Sequence, residues 1–222
     1  RIFPKNKISK LKSQIKGYRI IKIDRRGKNI LIYLSKESRI KSNKSRINKT
    51  ILEKNSRKYI REGLEKLLVI HPKLTGRLVL VKSRKRHVTW SKAHYYRAAF
   101  YLDAGLVLVF RDVRKFGKII FGDKEIIEAL PDLKNLGPDP LRLGCTVNDF
   151  KRLIRNEKRK IKLVLLDQEV IAGIGNIYSD EALWQAKIHP FTPSNQLTGR
   201  QLTNLYESIR KTLKKSLAVR GS

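Results

Sequence analysis

The sequence predicts an α+β protein with two domains, an antiparallel β domain followed by an all-α domain. Short segments rich in Ile, Leu and Val, separated by turn residues, fall within residues 18–110, and this pattern is typical of strands joined by hairpins. Residues 136–141, Leu-Gly-Pro-Asp-Pro-Leu, predict a linker. Apolar residues recur at helical spacing after residue 146. The predicted boundaries are therefore 1–135 for the β domain, 136–145 for the linker and 146–222 for the α domain.

The strands of the β domain are predicted at residues 18–24, 29–34, 67–71, 77–82, 95–102 and 106–110. A basic turn, Arg25-Arg26-Gly27-Lys28, joins the first two strands. Asp103-Ala104-Gly105 closes a hairpin between the last two strands. A short helix is predicted over residues 7–16, directly before a glycine. Another is predicted over residues 123–131.

The α domain is predicted to contain four helices. Thr146 is a capping residue for a helix over 147–156, and residues 161–166 begin the next one. A glycine-rich turn at 173–176 precedes a helix over 177–186. Thr198 opens the last helix, on which one face forms a core stripe of Leu202, Leu205, Ile209, Leu213 and Leu217.

The charge of the chain predicts a polyanionic partner. Its 222 residues include 51 Lys and Arg against 19 Asp and Glu, a formal net charge of +32. An apolar content of 41% excludes a disordered basic tail. An anionic membrane is the alternative partner, but the sequence contains no long apolar run and no secretory signal.

The cysteine and methionine content bears on location and completeness. Cys145 has no second cysteine to pair with and no Cys or His neighbour at metal-ligand spacing, so it is predicted to be a buried apolar residue of an intracellular protein. The chain contains no methionine and opens at Arg1, from which we expect an internal piece of a longer protein.

The glycine turn Gly173-Ile174-Gly175-Asn176 has two interpretations. Glycines allow backbone conformations that aim the free amides of the following helix at an anion, such as a nucleic-acid phosphate. They also serve in tight helix–helix turns for packing alone. The turn is not a dinucleotide fingerprint, because no strand leads into it and the third glycine is missing.

Residues 167–190 resemble the helix–two-turn–helix signature of the formamidopyrimidine-DNA glycosylase family, which excises oxidised purines from DNA. Three further segments resemble that family in the same order, namely Arg25-Arg26-Gly27-Lys28, Asp112-Val113-Arg114-Lys115-Phe116-Gly117 and residues 136–141. The resemblance covers most of the chain. It implies an N-terminal antiparallel β-sandwich with flanking helices, whose first strand and helix are missing, and a helix–two-turn–helix domain.

The resemblance also implies a set of site residues. Lys28 matches a lysine at the mouth of the lesion pocket that takes part in catalysis. Leu74, Arg114 and Phe116 match a wedge that enters the DNA stack, and an apolar or aromatic side chain can fill the gap left by an extruded base. The DNA-binding residues that the resemblance implies are His71, His94, Arg114, Lys115 and Asn176. The basic run at 157–162 adds Lys158 and Arg159 as candidate phosphate contacts.

Each of these residues also has an ordinary structural interpretation. Without the resemblance, Lys28 is a solvated lysine, His71 is a strand-end histidine, and Leu74 and Phe116 are core residues. The chain departs from the family at Pro72-Lys73, where Leu-Gly is usual, and at Val113, where proline is usual. Residues 36–62 form a basic insertion that either contacts DNA or is a solvated loop.

Two functional parts of the family do not occur in this sequence. The nucleophile is the amine of an N-terminal proline, followed by a glutamate that acts as the acid, and Arg1 aligns after that segment. A four-cysteine zinc finger follows the last helix in the family, so one zinc is expected in the full-length protein and none in this chain. The chain alone is therefore expected to be inactive.

The resulting hypothesis is a monomeric, nucleoid-associated base-excision repair enzyme, a bifunctional DNA glycosylase and abasic-site lyase for 8-oxoguanine and formamidopyrimidines. One alternative is the related endonuclease VIII branch, which prefers oxidised pyrimidines. Another is a non-catalytic module that binds damaged DNA. A basic RNA- or ribosome-associated protein would explain the charge but not the four ordered segments.

Overall fold

The computed structural model describes residues 14–36, 65–82, 95–142 and 144–218. Contacts divide the chain into two units. The first contains Asn29–Ala129 and the chain before Arg26, and the second contains Leu130–Ser222 together with the turn Arg26–Lys28. Most of the predicted helix at 7–16, nearly all of the basic insertion and His94 lie outside the described residues.

The described residues of the first unit form seven strands in two antiparallel sheets. Their bounds are β1 Arg19–Arg26, β2 Asn29–Ser35, β3 Glu65–His71, β4 Gly76–Lys82, β5 Tyr96–Tyr101, β6 Leu106–Asp112 and β7 Lys118–Asp123. One sheet has the order β1-β2-β3-β7 and the other has the order β4-β6-β5. The predicted hairpin is confirmed, with a tight turn at Asp103–Gly105 between β5 and β6.

The core of the first unit lies between the two sheets, as the predicted β-sandwich requires. Ile32, Leu68, Ile70 and Ile119 of one sheet share a buried cluster with Phe110 of the other. The chain crosses from the first sheet to the second between β3 and β4, and it returns between β6 and β7. These two crossings carry the candidate site.

Six helices complete the described fold. Their bounds are α1 Lys124–Glu128, α2 Pro131–Lys134, α3 Val147–Arg155, α4 Ile161–Leu166, α5 Asn176–Gln185 and α6 Gly199–Ala218. The predicted cap of α3 is confirmed, because the Thr146 hydroxyl accepts from the Asp149 amide and the Asp149 carboxylate accepts from Thr146 in return. None of the helices in the described part of the chain is long and apolar enough to cross a membrane.

The second unit has its own apolar core, to which α3–α6 all contribute. The predicted stripe of α6 is confirmed at Leu202, Leu205, Ile209 and Leu213, which are all buried. It is wrong at Leu217, whose side chain is 62% exposed in the last turn. A helical period predicts which face is apolar, but it does not predict where the neighbouring helices end.

Two further predictions needed correction near residue 120. The predicted helix over 123–131 is divided into α1 and α2, because Pro131 cannot continue a helix but suits the first turn of a new one. The strand β7 was not predicted. It pairs with β3, placing Lys118 opposite His71. Cys145 is buried as predicted, and burial raises the pKa of its thiol.

Candidate nucleic-acid interface

The two crossings between the sheets lie side by side at one end of the sandwich. We call residues 72–75 the β3–β4 loop and residues 113–117 the β6–β7 loop. Gly76 at the start of β4 pairs with Asp112 at the end of β6. His71 at the end of β3 pairs with Lys118 at the start of β7. The register of both sheets therefore places the two loops next to each other.

Both loops expose large apolar side chains. Leu74 is 72% exposed and Phe116 is 53% exposed. The Arg114 guanidinium carbon lies 4.8 Å from the centroid of the Phe116 ring, within the range of a cation–π contact. The interpretation of Leu74 and Phe116 as core residues is therefore wrong. The structure instead carries all three predicted wedge residues on adjacent loops.

A buried carboxylate that sequence reasoning missed connects these loops. The Asp112 side chain accepts hydrogen bonds from the Thr75 hydroxyl in one loop and from the amides of Arg114 (3.2 Å) and Gly117 (2.8 Å) in the other. Burial acts to raise the pKa of Asp112, but the hydrogen bond from Thr75 and those from the loop amides outweigh it, and the pKa is lowered. Asp112 is therefore held as a carboxylate at neutral pH.

The glycines that flank the loops allow this close approach. A Cβ at Gly76 would lie 2.3 Å from the Pro72 carbonyl oxygen, and a Cβ at Gly117 would lie 2.4 Å from Cζ of the buried Phe110 ring. Lys73 and Lys115 adopt φ of 57° and 61°, in the left-handed region that favours glycine. Lys73 thus retains a glycine-like conformation at the position where the resembling family usually has glycine.

His71 is placed at the base of the β3–β4 loop. Its Nδ1 accepts a hydrogen bond from the Lys73 amide at 3.0 Å. In a neutral imidazole that accepts at Nδ1, the proton is on Nε2, which can donate to a phosphate oxygen. This geometry suits the predicted phosphate contact.

The predicted glycine turn lies between α4 and α5, and a side chain that sequence reasoning missed braces it. Gln168 Oε1 accepts from the Gly173 amide at 3.0 Å, and its Nε2 donates to the carbonyl oxygens of Leu166 (2.9 Å) and Ile174 (3.1 Å). One carboxamide therefore satisfies three backbone groups of the turn.

The N-terminus of α5 is open at its cap. Gly175 occupies the N-cap position with no side-chain hydrogen bond, and the exposed Asn176 is the first helical residue. The free amides of a ten-residue helix and its dipole favour an anion at such a position. Asn176 adds a side-chain amide, which is the geometry predicted for phosphate binding.

The predicted catalytic lysine is grouped with this helix. The turn Arg26–Lys28 belongs by its contacts to the second unit. A Cβ at Gly175 would lie 3.9 Å from both Cε and Nζ of Lys28. Lys28 is partly exposed, and its catalytic role stays a prediction. Lys28 and Asn176 therefore lie on the same part of the second unit.

The basic run before α4 contains two predicted contacts in different environments. Lys158 is exposed. Arg159 donates from Nε to Glu157 (2.7 Å) and from Nη1 to Asp167 (2.8 Å), and these bonds raise its pKa. The hydrogen bond from Arg159 in turn lowers the pKa of Asp167 against the effect of burial. Arg159 thus braces the segment before the turn, and its phosphate contact stays a prediction.

The described residues offer no cluster of metal ligands. Among the described residues, no group of three or more His, Cys, Asp and Glu side chains could hold a metal ion. The buried Cys145 stands without thiolate partners in a sequence that has one cysteine. The described residues therefore do not fit the zinc site of the resembling family.

Two family models match the chain. The formamidopyrimidine-DNA glycosylase N-terminal domain matches residues 2–119. The H2TH domain of the same glycosylase matches residues 136–222. The matches fall on the two parts of the chain that carry the crossing loops and the glycine turn.

Curated relatives of the chain are named formamidopyrimidine-DNA glycosylase, as are the matching family models. The chain is 35% identical to the formamidopyrimidine-DNA glycosylase of Protochlamydia amoebophila over 210 residues, which covers 94% of the chain and 62% of the relative. It is 34% identical to that of Pelotomaculum thermopropionicum over 215 residues, covering 97% of the chain and 66% of the relative. The chain thus spans less than two thirds of the length of these relatives.

Solved structures with the same fold contain DNA. The complex of Lactococcus lactis FPG (MutM) with DNA containing FAPY-dG superposes with a TM-score of 0.72 at 28% identity, covering 96% of this chain and 68% of that one. The complex of MutM with DNA containing carbocyclic 8-oxo-G gives a TM-score of 0.71 at 26% identity, with the same coverage of 96% and 68%.

Proposed function

Because the chain belongs to the formamidopyrimidine-DNA glycosylase family, we propose that it is part of an enzyme that binds duplex DNA and removes oxidised purines. The substrates are 8-oxoguanine and formamidopyrimidines, and the enzyme also cleaves the resulting abasic site. The names of the relatives and the DNA in the complexes of similar structures support this proposal. We further propose that the protein acts as a monomer on nucleoid DNA inside the cell.

The observation that carries the proposal is the exposure of Leu74, Arg114 and Phe116 on two adjacent, tightly braced loops. The glycosidic bond of a stacked nucleotide is out of reach, so the nucleotide must be flipped out of the helix. An exposed leucine and a phenylalanine can occupy the space that the flipped base leaves. The Arg114 guanidinium can hydrogen-bond the orphaned base or a phosphate.

Phosphate contacts position the duplex in this proposal. His71, Lys115 and Asn176 offer donors to backbone oxygens, and Lys158, Arg159 and His94 add positive charge or further donors. The net charge of +32 attracts DNA independently of its sequence. Such contacts fix the register of the protein on the duplex without reading the bases.

The chemistry requires a nucleophilic amine, which the family resemblance assigns to an N-terminal proline outside the 222 residues. The amine attacks C1′, the bond from C1′ to the base breaks, and the sugar ring opens to give a Schiff base. Abstraction of a C2′ proton then releases the 3′ phosphate by β-elimination. Lys28 has the role of a proton-handling group at the mouth of the pocket. A zinc finger outside the 222 residues completes the protein in this proposal, and no step here depends on it.

Borohydride trapping tests the proposal directly, because reduction converts the Schiff base into a stable protein–DNA adduct. The 222-residue chain is compared with a form extended at both ends, on duplexes containing 8-oxoguanine, an oxidised pyrimidine or no lesion. An adduct with 8-oxoguanine in the extended form alone is the expected result.

The other outcomes identify the alternatives. A stronger adduct with the oxidised pyrimidine would assign the protein to the endonuclease VIII type. Tight binding to damaged duplex without an adduct in either form would indicate a non-catalytic DNA-binding module.

A further inference from the structure

The two crossing loops are joined by one buried cluster rather than folded independently. Asp112 has no exposed surface. It accepts from Thr75, which is 37 residues earlier in the chain, and from the Arg114 and Gly117 amides of the β6–β7 loop that follows it. The Thr75 hydroxyl also accepts from the Arg114 amide at 3.1 Å. The two loops are thus linked by hydrogen bonds of Thr75, which follows Leu74 in the sequence, and of the Arg114 backbone amide.

A second set of contacts holds this cluster from the strand side. Arg97 donates from Nε to the Asp112 carbonyl oxygen at 2.7 Å and from Nη2 to the Val113 carbonyl oxygen at 3.4 Å. The Gly76 amide closes the β3–β4 loop on the Pro72 carbonyl oxygen at 3.0 Å. A shift of either loop would therefore leave buried polar groups without partners, which is unfavourable.

We propose that Asp112 and Thr75 are positioning residues that hold the two loops as one rigid unit, so that Leu74 and the Arg114–Phe116 pair enter a DNA base step together. This inference rests on the proposed function. Neither residue touches DNA in this role. Their contribution is that the three side chains are ordered before binding, so that less conformational entropy is lost when the wedge enters the stack.

Three variants separate the linking bonds from general packing. Thr75→Val removes the hydroxyl and keeps the shape of the side chain. Thr75→Ser keeps the hydroxyl and is the matched control. Asp112→Asn keeps the size but replaces one acceptor with a donor that faces other donors.

The first measurement needs no DNA and tests the linkage alone. Amide hydrogen exchange of peptides covering residues 72–76 and 113–117 is compared among the variants and the parent chain. We expect faster exchange in both peptides for Thr75→Val and Asp112→Asn, and unchanged exchange for Thr75→Ser. Faster exchange confined to the peptide that carries the substitution would overturn the proposal.

The second measurement tests the role in recognition. The affinity for a duplex with a tetrahydrofuran abasic-site analogue is divided by the affinity for the undamaged duplex. We expect Thr75→Val and Asp112→Asn to lower this ratio about tenfold through the analogue alone, and Thr75→Ser to preserve it. Equal ratios for Thr75→Val and Thr75→Ser would overturn the positioning role.

A variant cycle distinguishes coupled from independent loops. In the parent chain, Leu74→Ala and Phe116→Ala should each lower the affinity ratio by some factor. The factor for the double variant should be much smaller than the product of the two single factors. In the Thr75→Val background, the factor for the double variant should equal the product of the two single factors. The same deviation from that product in both backgrounds would contradict the coupling. If the parent chain has no preference for the analogue, the proposed function fails, whereas the exchange experiment still decides whether the loops are linked.

Discussion

The crossing loops of the β unit and the glycine turn of the helical unit expose opposite kinds of surface. The loops present Leu74 and Phe116 to solvent above a buried carboxylate. The turn buries its apolar residues, such as Ile171 and Ile174, and presents helix amides and Asn176. An apolar surface can replace a stacked base, whereas a polar N-terminus can only bind an anion. In the proposed function, the loops therefore recognise the lesion and the turn binds the DNA backbone.

Salt gives the largest expected effect, and it should act on the backbone-binding function alone. Raising the salt from about 50 to 200 mM should weaken binding about 10³-fold or more if six or more phosphates are contacted. The affinity for damaged and undamaged duplex should fall in parallel, as fluorescence anisotropy titrations would show. A flat response to salt would remove the electrostatic part of the comparison.

Removal of an aromatic ring from the loops should affect lesion recognition only. Phe116→Ala should weaken binding to a duplex with an abasic-site analogue by about 1–3 kcal/mol, or roughly 5- to 150-fold, since a stacking contact is lost. Binding to undamaged duplex should hardly change. Val113→Ala is the matched control, because Val113 is an equally exposed apolar residue of the same loop at 52%. An equal loss in both variants would mean that the loop contributes only apolar area.

The complementary change in the turn should not discriminate between duplexes. Asn176→Ala should weaken binding to damaged and undamaged duplex by the same factor, roughly 3- to 10-fold, because one hydrogen bond to a phosphate is lost. Asn204→Ala, at an exposed position within α6, is the control and should have no effect. A loss restricted to one lesion would break the assignment of the turn to backbone binding.

Lowering the pH should give the smallest effect, which is a loss of stability. The loss should be greater for the parent chain than for a variant that cannot titrate at position 112. The folded-state pKa of Asp112 is lowered, so its stabilising contribution is complete above the unfolded pKa of about 3.9 and is lost as pH falls below it. Urea unfolding between about pH 6 and pH 3 should therefore be less pH-dependent for Asp112→Asn than for the parent chain. Identical pH dependence would mean that Asp112 does not contribute through its charge.

Local sequence patterns predicted most strands and helices but not the polar groups that hold the loops and the turn in place. The strand segments and the cap at Thr146 are encoded by neighbouring residues, and both were confirmed. The Thr75–Asp112 hydrogen bond joins residues 37 positions apart, so no periodicity reveals it. The strand β7, which directly follows the basic motif ending at Gly117, was not predicted.

The exposure of Leu74 and Phe116, the apolar residues of the predicted wedge, was predictable only through resemblance. Burial statistics alone favoured core positions for Leu74 and Phe116, and both are exposed. Gln168 has a weak local signal, as a polar residue just after α4. Sequence reasoning therefore proposed the interface residues, while the interactions that order the two loops required coordinates.

The carboxamide of Gln168 behaves as a peptide group supplied from the side, since it offers one acceptor and two donors to backbone atoms on both sides of the turn. The main chain there consequently does not need water for these bonds, so substitutions of outward-facing residues should leave the turn intact. Substitutions of Gln168 should disrupt it. Glutamate would lose both donors, leucine would lose every bond, and asparagine would have the groups without the reach. The backbone geometry of the turn thus depends on the length and the hydrogen-bonding groups of one inward side chain.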